Sequence, residues 1–243
     1  MKPGDAFIYL YEKKLPLILS FPFEEEKGYF ITGRGLCYIE KIYNNEKILL
    51  SRFSPYRSII CIEKEQYFFA NFEVLGKSYS CIFDNLSVEN NKVTATIPKN
   101  MNPYLRRFLR VEPSIKLPVT LYLFSPEHGT ISLNVKDISE RGVGFLSQIV
   151  VNTNQQIVCG IRLPLQGETF VLSNASIVYK LDSLTKPESS FKTPSGQHIS
   201  FSEKFKDMIA YGLELFPHTE DENKIRIYIM QRDIEIRRLL QEL

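Results

Sequence analysis

The sequence predicts a mainly β protein: two antiparallel β domains in series, followed by one C-terminal α-helix. Three observations carry this. Short runs rich in β-branched and aromatic residues recur from residue 6 to residue 98, and again from residue 119 to residue 216. A polar stretch bounded by Pro98 and Pro103 separates the two series. Towards the C-terminus, Ile225, Ile229, Ile236, Leu240 and Leu243 recur at spacings of four or seven among charged residues, as on an amphipathic helix.

In the first series the candidate strands are AFIYLY, LPLILSFPF, GYFITGRGLCYI, KILLSR, SIICIEKEQYFFANFEVL, SYSCIF and KVTATI, broken at Gly, Asn, Lys and Pro. They suit a small antiparallel barrel or sandwich over residues 1–103. In the second series Val119, Leu121 and Leu123 alternate with Thr120, Tyr122 and Phe124. Ile131, Leu133 and Val135 alternate in the same way with Ser132, Asn134 and Lys136, the period of a half-buried strand. Further strands are expected at 143–146, 157–163, 170–181 and 211–216. With no helix between them, the six make an antiparallel barrel over residues 113–243, on which the terminal helix is expected to pack. The Ser/Pro/Lys-rich stretch 182–210 is long for a hairpin loop and reads as an insertion, with a short helix expected from about 202 to 210.

The composition limits the functions open to the chain. Its 243 residues, 44% of them hydrophobic, fill real cores, while 30 basic against 28 acidic side chains leave a net charge of only +2. No global field draws nucleic acid or an anionic membrane, so an anion site must be local. No apolar run approaches the roughly 20 residues that span a bilayer, and the N-terminus has no signal-peptide pattern, so a cytoplasmic protein is expected. Cys37, Cys61, Cys81 and Cys159 stand in apolar runs without CxxC pairing and are expected as reduced, buried thiols. His128, His198 and His218 lack a second histidine at ligand spacing, so no metal site is expected. Gly33-Arg34-Gly35 is a lone GxG, read as a turn. No nucleophile elbow, paired acid motif or metal cluster appears, and enzyme activity is not expected.

Two local motifs stand out. Arg106, Arg107 and Arg110 set three guanidiniums within five residues, just ahead of the second β series. Asp137-Ile138-Ser139-Glu140-Arg141-Gly142 follows the alternating strand and reads as a turn by composition. Alone, the arginines are a solvated linker pairing with Glu112, and the second motif is an ordinary strand connection. Together they set guanidinium donors beside an acceptor and small-residue lining, the chemistry a phosphorylated guanine needs.

Arg106 to Arg110 matches RxxxR and Asp137 to Gly142 matches [D/N]xSxxG. With the RVxxxxxPV phrasing of Arg110 to Val119, the IRLPL strand and the Tyr211 to Phe216 strand, the chain resembles the PilZ domain family of cyclic di-GMP receptors from about residue 104 onward. The first hundred residues resemble, by position and strand content, the barrel that accompanies this domain in flagellar-brake-type receptors. The resemblance implies two small barrels in series, a ligand-binding linker at 104–112, and a cyclic di-GMP site made by Arg106, Arg107, Arg110, Asp137, Ser139 and Gly142. Arg106 and Arg110 suit the N7/O6 edge of guanine and phosphate oxygens. Asp137 accepts from the guanine N1 and N2 donors, Ser139 offers a hydroxyl, and Gly142 leaves room and permits positive φ. Leu105 stands where a further arginine would have favoured a stacked ligand dimer. The resemblance also implies no cofactor beyond this ligand, and a domain reorientation read by a protein partner such as a flagellar motor or regulatory component. The competing reading is a nucleic-acid-binding β-barrel whose arginines contact phosphates; the near-zero net charge disfavours it.

Overall fold

The computed structural model of the chain describes residues 1–104, 108–125, 129–151, 157–167, 169–181, 191–192, 198–199 and 208–242. Contacts divide the chain into two compact units, with the boundary between Arg106 and Arg107 and the residues from Glu235 onward returning to the first unit.

The first unit opens with helix α1 (Pro3–Lys13), where the sequence reads as a strand. Burial explains the difference: Ala6, Phe7 and Leu10 are buried, a helical spacing that the apolar run AFIYLY conceals. Pro3 starts the helix, where its missing N–H costs nothing, and Lys14 ends it in the left-handed region at φ 52°. Strands β1 (Leu17–Glu26), β2 (Tyr29–Tyr43) and β3 (Lys47–Ser54) follow, then a second unanticipated helix, α2 (Ser58–Glu65). Its buried residues Ser58, Ile59 and Ile62 again share one face. Then come β4 (Phe68–Val74), β5 (Lys77–Phe83), β6 (Leu86–Glu89), β7 (Lys92–Thr96) and β8 (Asn102–Pro103). These strands form an eight-stranded sheet in the order β6-β7-β3-β2-β1-β4-β5-β8, a half-barrel around a phenylalanine-rich core. Phe7 meets Phe72 and Phe83, and Phe68 stacks on Phe83 with ring centroids 5.0 Å apart.

Gly33-Arg34-Gly35 is not a turn but the middle of β2. Gly33 pairs with Phe21 on β1, whose ring folds back over it, so that a Cβ at Gly33 would lie 2.5 Å from the ring. Glycine is needed there for close approach to a buried aromatic rather than for φ.

The second unit contains β9 (Arg110–Val111), β10 (Thr120–Ser125), β11 (Gly129–Ser139), β12 (Gly142–Ser147), β13 (Ile157–Leu163) and β14 (Thr169–Leu181). The two-residue strands β15 (Phe191–Lys192) and β16 (His198–Ile199) pair with each other, and β17 (Ile209–Pro217) returns to the main sheet. That sheet runs β10-β13-β14-β17-β12-β11, and β10 also pairs with β11, which closes a six-stranded antiparallel barrel; β9 adds to the free side of β11. Val119, Leu121, Leu123, Ile161, Val171, Leu213 and Leu215 fill it, the inward half of the period-two pattern.

Helix α3 (Thr219–Glu242) ends the described chain. In the second unit Ile225, Tyr228 and Ile229 complete the barrel's core. In the first unit Ile236 and Leu240 belong to the half-barrel's core. Leu243 and most of the short helix expected at 202–210 lie outside the described residues, whereas Ile209 and Ala210 are strand. Among the described residues no helix is long and apolar enough to cross a membrane.

Candidate functional site

The second motif lies mostly in strand. Asp137, Ile138 and Ser139 end β11, Gly142 begins β12, and only Glu140 and Arg141 turn. The sequence reads this stretch as a turn because Asp, Ser and Gly favour turns locally. The cross-strand ladder overrides that preference: Asp137 pairs with Gly144, Ile138 with Val143 and Ser139 with Gly142. A bulge between Val135 and Asp137 shifts the register of β11. After it Ile138 takes the core side, which leaves Asp137 and Ser139 together on the other face.

Strand β9 brings the arginine motif to that face. Val111 pairs with buried Ile138 and is itself fully buried, so its neighbour Arg110, paired with Ser139, must point the other way. Arg110 Nη1 stands 3.1 Å from Asp137 Oδ1, with the arginine side chain 35% exposed and the aspartate only 12%. The guanidinium is therefore oriented by a nearly buried carboxylate while staying open to solvent. A pair with one exposed partner adds only about 0–1 kcal/mol to stability, so its main consequence is orientation. The Ser139 hydroxyl donates to the Gly142 carbonyl at 3.3 Å.

Glycines shape the floor of the site. Gly142 has ordinary strand geometry, contrary to the expected positive φ. Its lack of a side chain matters for space: a Cβ would lie 3.1 Å from Ser139 Oγ. Gly144 matters more, since a Cβ there would lie 2.7 Å from Asp137 Oδ2. One row across the barrel runs Asp137, Gly144, Gly212 and Tyr179. At its far end the Tyr179 ring lies over Gly212, where a Cβ would come within 2.1 Å of the ring. A carboxylate and an exposed aromatic ring thus lean in from opposite ends over two adjacent glycines.

Two ion pairs hold the turn between the motif's halves to α3. Glu140 Oε2 accepts from Arg226 Nη2 at 3.1 Å, and Arg141 Nη2 donates to Glu222 Oε2 at 3.2 Å. The hydrogen bond to Glu140 raises the already high pKa of Arg226 further.

Of the six site residues expected from the sequence, Arg110, Asp137, Ser139 and Gly142 come together on one face of β9, β11 and β12. Arg106 and Arg107 lie outside the described residues. Gly144, Gly212 and Tyr179 were not anticipated. The sequence does set an aromatic and a glycine on neighbouring strands, but only the register shift between Ile177 and Tyr179 brings that ring opposite Gly212. The thiols stand apart: Cys37, Cys81 and Cys159 are buried and free. Burial raises the pKa of Cys37 and pushes Cys81 and Cys159 up to about 12. Among the described residues no cluster of His, Cys, Asp and Glu is built to hold a metal ion.

No family model and no curated protein matches the sequence. Among solved structures, Escherichia coli YcgR in complex with c-di-GMP is similar over 99% of this chain and 93% of its own, at 14% identity and a TM-score of 0.45. The Bacillus subtilis inhibitor of motility MotI/DgrA is similar over 91% of this chain and 97% of its own, at 14% identity and a TM-score of 0.42. The separate PilZ domain of Escherichia coli YcgR with c-di-GMP is covered in full by 58% of this chain, at 12% identity and a TM-score of 0.42. The chain is thus similar to a solved PilZ domain over part of its length, and to YcgR, which carries that domain, over nearly all of it.

Proposed function

We propose that this chain is a cyclic di-GMP receptor of the PilZ type, binding the nucleotide through residues 104–112 and the face of the barrel next to them. One observation carries the reading: two motifs distant in sequence converge, with Arg110 held 3.1 Å from Asp137 and paired with Ser139. A half-exposed guanidinium forks onto a guanine N7/O6 edge or a phosphate oxygen, where a charge-assisted contact is strongest. Asp137 takes the guanine N1 and N2 donors, Ser139 a phosphate or base, and the glycines let the ligand approach the backbone. Tyr179 offers a ring face on which a purine stacks. Arg106 and Arg107 supply the remaining cations from the linker.

In this reading the linker at 104–112 joins the two β domains. Ligand phosphates neutralise a linker whose three cations repel one another, and so shift the population of domain orientations by the difference in affinity between them. A protein partner reads that shift; motility, adhesion and virulence control are the outputs such a receptor serves. The chain performs no catalysis and uses no cofactor besides the ligand.

Titration calorimetry with cyclic di-GMP tests the reading. Wild type gives a saturable heat, and Arg106→Ala and Asp137→Ala each lose most of it. No heat from wild type overturns the receptor reading, and equal binding by all three overturns the site.

A further inference from the structure

The apolar stripe of α3 is interrupted by two buried charged residues, Arg232 and Asp233, and the first of them reaches the backbone just beyond a distant strand. Ile225, Tyr228 and Ile229 face the core, and Arg232 follows at the spacing of seven, four and three where the next apolar side chain is due. It is 2% exposed. Burying a guanidinium, which stays charged at any pH a protein survives, is costly unless its donors are engaged. Here Nε donates to the Glu112 carbonyl at 2.9 Å, across 120 residues of sequence.

Glu112 is two residues beyond Arg110. Strand β9, which carries Arg110, is held on β11 by only two paired positions, Val111 with Ile138 and Arg110 with Ser139. So short an edge strand frays unless something outside the ladder fixes it. Val111 anchors it from the core side, and the Arg232 hydrogen bond fixes the backbone immediately after it. A break of a local rule with a defined recipient is what a functional constraint leaves in a sequence.

We infer that Arg232 is a positioning residue for the ligand site: it sets the end of β9 so that the Arg110 guanidinium stays against Asp137 and is presented to the ligand. The inference rests on the cyclic di-GMP reading above and adds to it a residue on the terminal helix, outside both motifs, that touches no ligand.

The test is calorimetry with cyclic di-GMP on the full chain, comparing wild type with Arg232→Met, which keeps an apolar stem out to the position of Nε but donates nothing. Affinity is expected to fall about tenfold, the order seen when a supporting residue rather than a direct contact is removed. The same substitution is then made in an Arg110→Lys background, where the guanidinium to be positioned is gone. There the Arg232→Met loss is expected to shrink to within about twofold, the mark of two residues acting through one contact. Thermal melts identify the folded variant; if Arg232→Met does not fold, Arg232→Leu, which carries no donor, takes its place with the same expectation. Unchanged affinity in a folded variant overturns the inference, as does an equal loss in both backgrounds, which would mark a general effect on the barrel. Failure of the receptor reading shows earlier and separately, as an absent heat in the wild-type titration, and takes this inference with it.

Discussion

The carboxylate of Asp137 lies over Gly144, the residue paired with it across β11 and β12, with Oδ2 only 2.7 Å from where a Cβ would stand. Gly144→Ala therefore pushes a nearly buried carboxylate out of its place. The expected cost is about 1–3 kcal/mol, as for other overpacked sites, read from the urea midpoint, with weaker cyclic di-GMP binding alongside. A Gly144→Ala variant that unfolds and binds like wild type would show that Asp137 has room the geometry denies it.

Stability and binding separate at Arg110. Its side chain is 35% exposed and its pair with Asp137 spans 3.1 Å, so Arg110→Ala should cost less than about 1 kcal/mol of stability. The same change removes a charge-assisted contact to an anionic ligand, and affinity should fall by about tenfold or more. Denaturation and calorimetry on one preparation check both halves.

Tyr179 is the addition that only the fold reveals. Its ring overhangs Gly212, in the row that ends at Asp137. If a purine stacks there, Tyr179→Ala loses about 1–3 kcal/mol of binding, while Tyr179→Phe, which keeps the ring, binds like wild type. Equal losses in both variants would assign the effect to the hydroxyl instead.

Buried thiols set an alkaline limit. Cys81 and Cys159 are pushed up to about 12 by burial, whereas a thiol in the unfolded chain ionises near about 8.5. Below that value both states hold the proton and nothing is lost. Above it the unfolded chain releases protons that the folded chain retains, so stability falls as pH rises, by up to about 1.4 kcal/mol per pH unit per thiol. Urea midpoints should drop between about pH 9 and pH 11, and Cys159→Ala should flatten that drop.

The barrel was legible in the sequence chiefly from the strands that show period two: Val119, Leu121 and Leu123 point inward as their alternation requires. The helices of the first unit were not. In α1, Ile8 and Tyr9 fill the gap between Phe7 and Leu10 and Tyr11 follows, so the apolar run has no visible helical period; only burial separates the faces. At the site, Arg110, Asp137, Ser139 and Gly142 were legible only through the match to the RxxxR and [D/N]xSxxG motifs, because each stretch alone reads as a solvated linker or an ordinary strand connection. Gly144, Gly212 and Arg232 stayed hidden, since their importance arises from long-range register and from a carbonyl 120 residues away. A glycine needed for close approach looks the same in sequence as one needed for a turn.

The central claim is most directly tested by recording backbone amide NMR shifts of the full chain as cyclic di-GMP is added. The account predicts saturable changes concentrated at Arg110, Asp137, Ser139, Gly142 and Gly144, with Tyr179 among them. Absence of any change, or changes confined to the depression lined by Leu117, Pro118 and Arg162 at another part of the barrel, would contradict it.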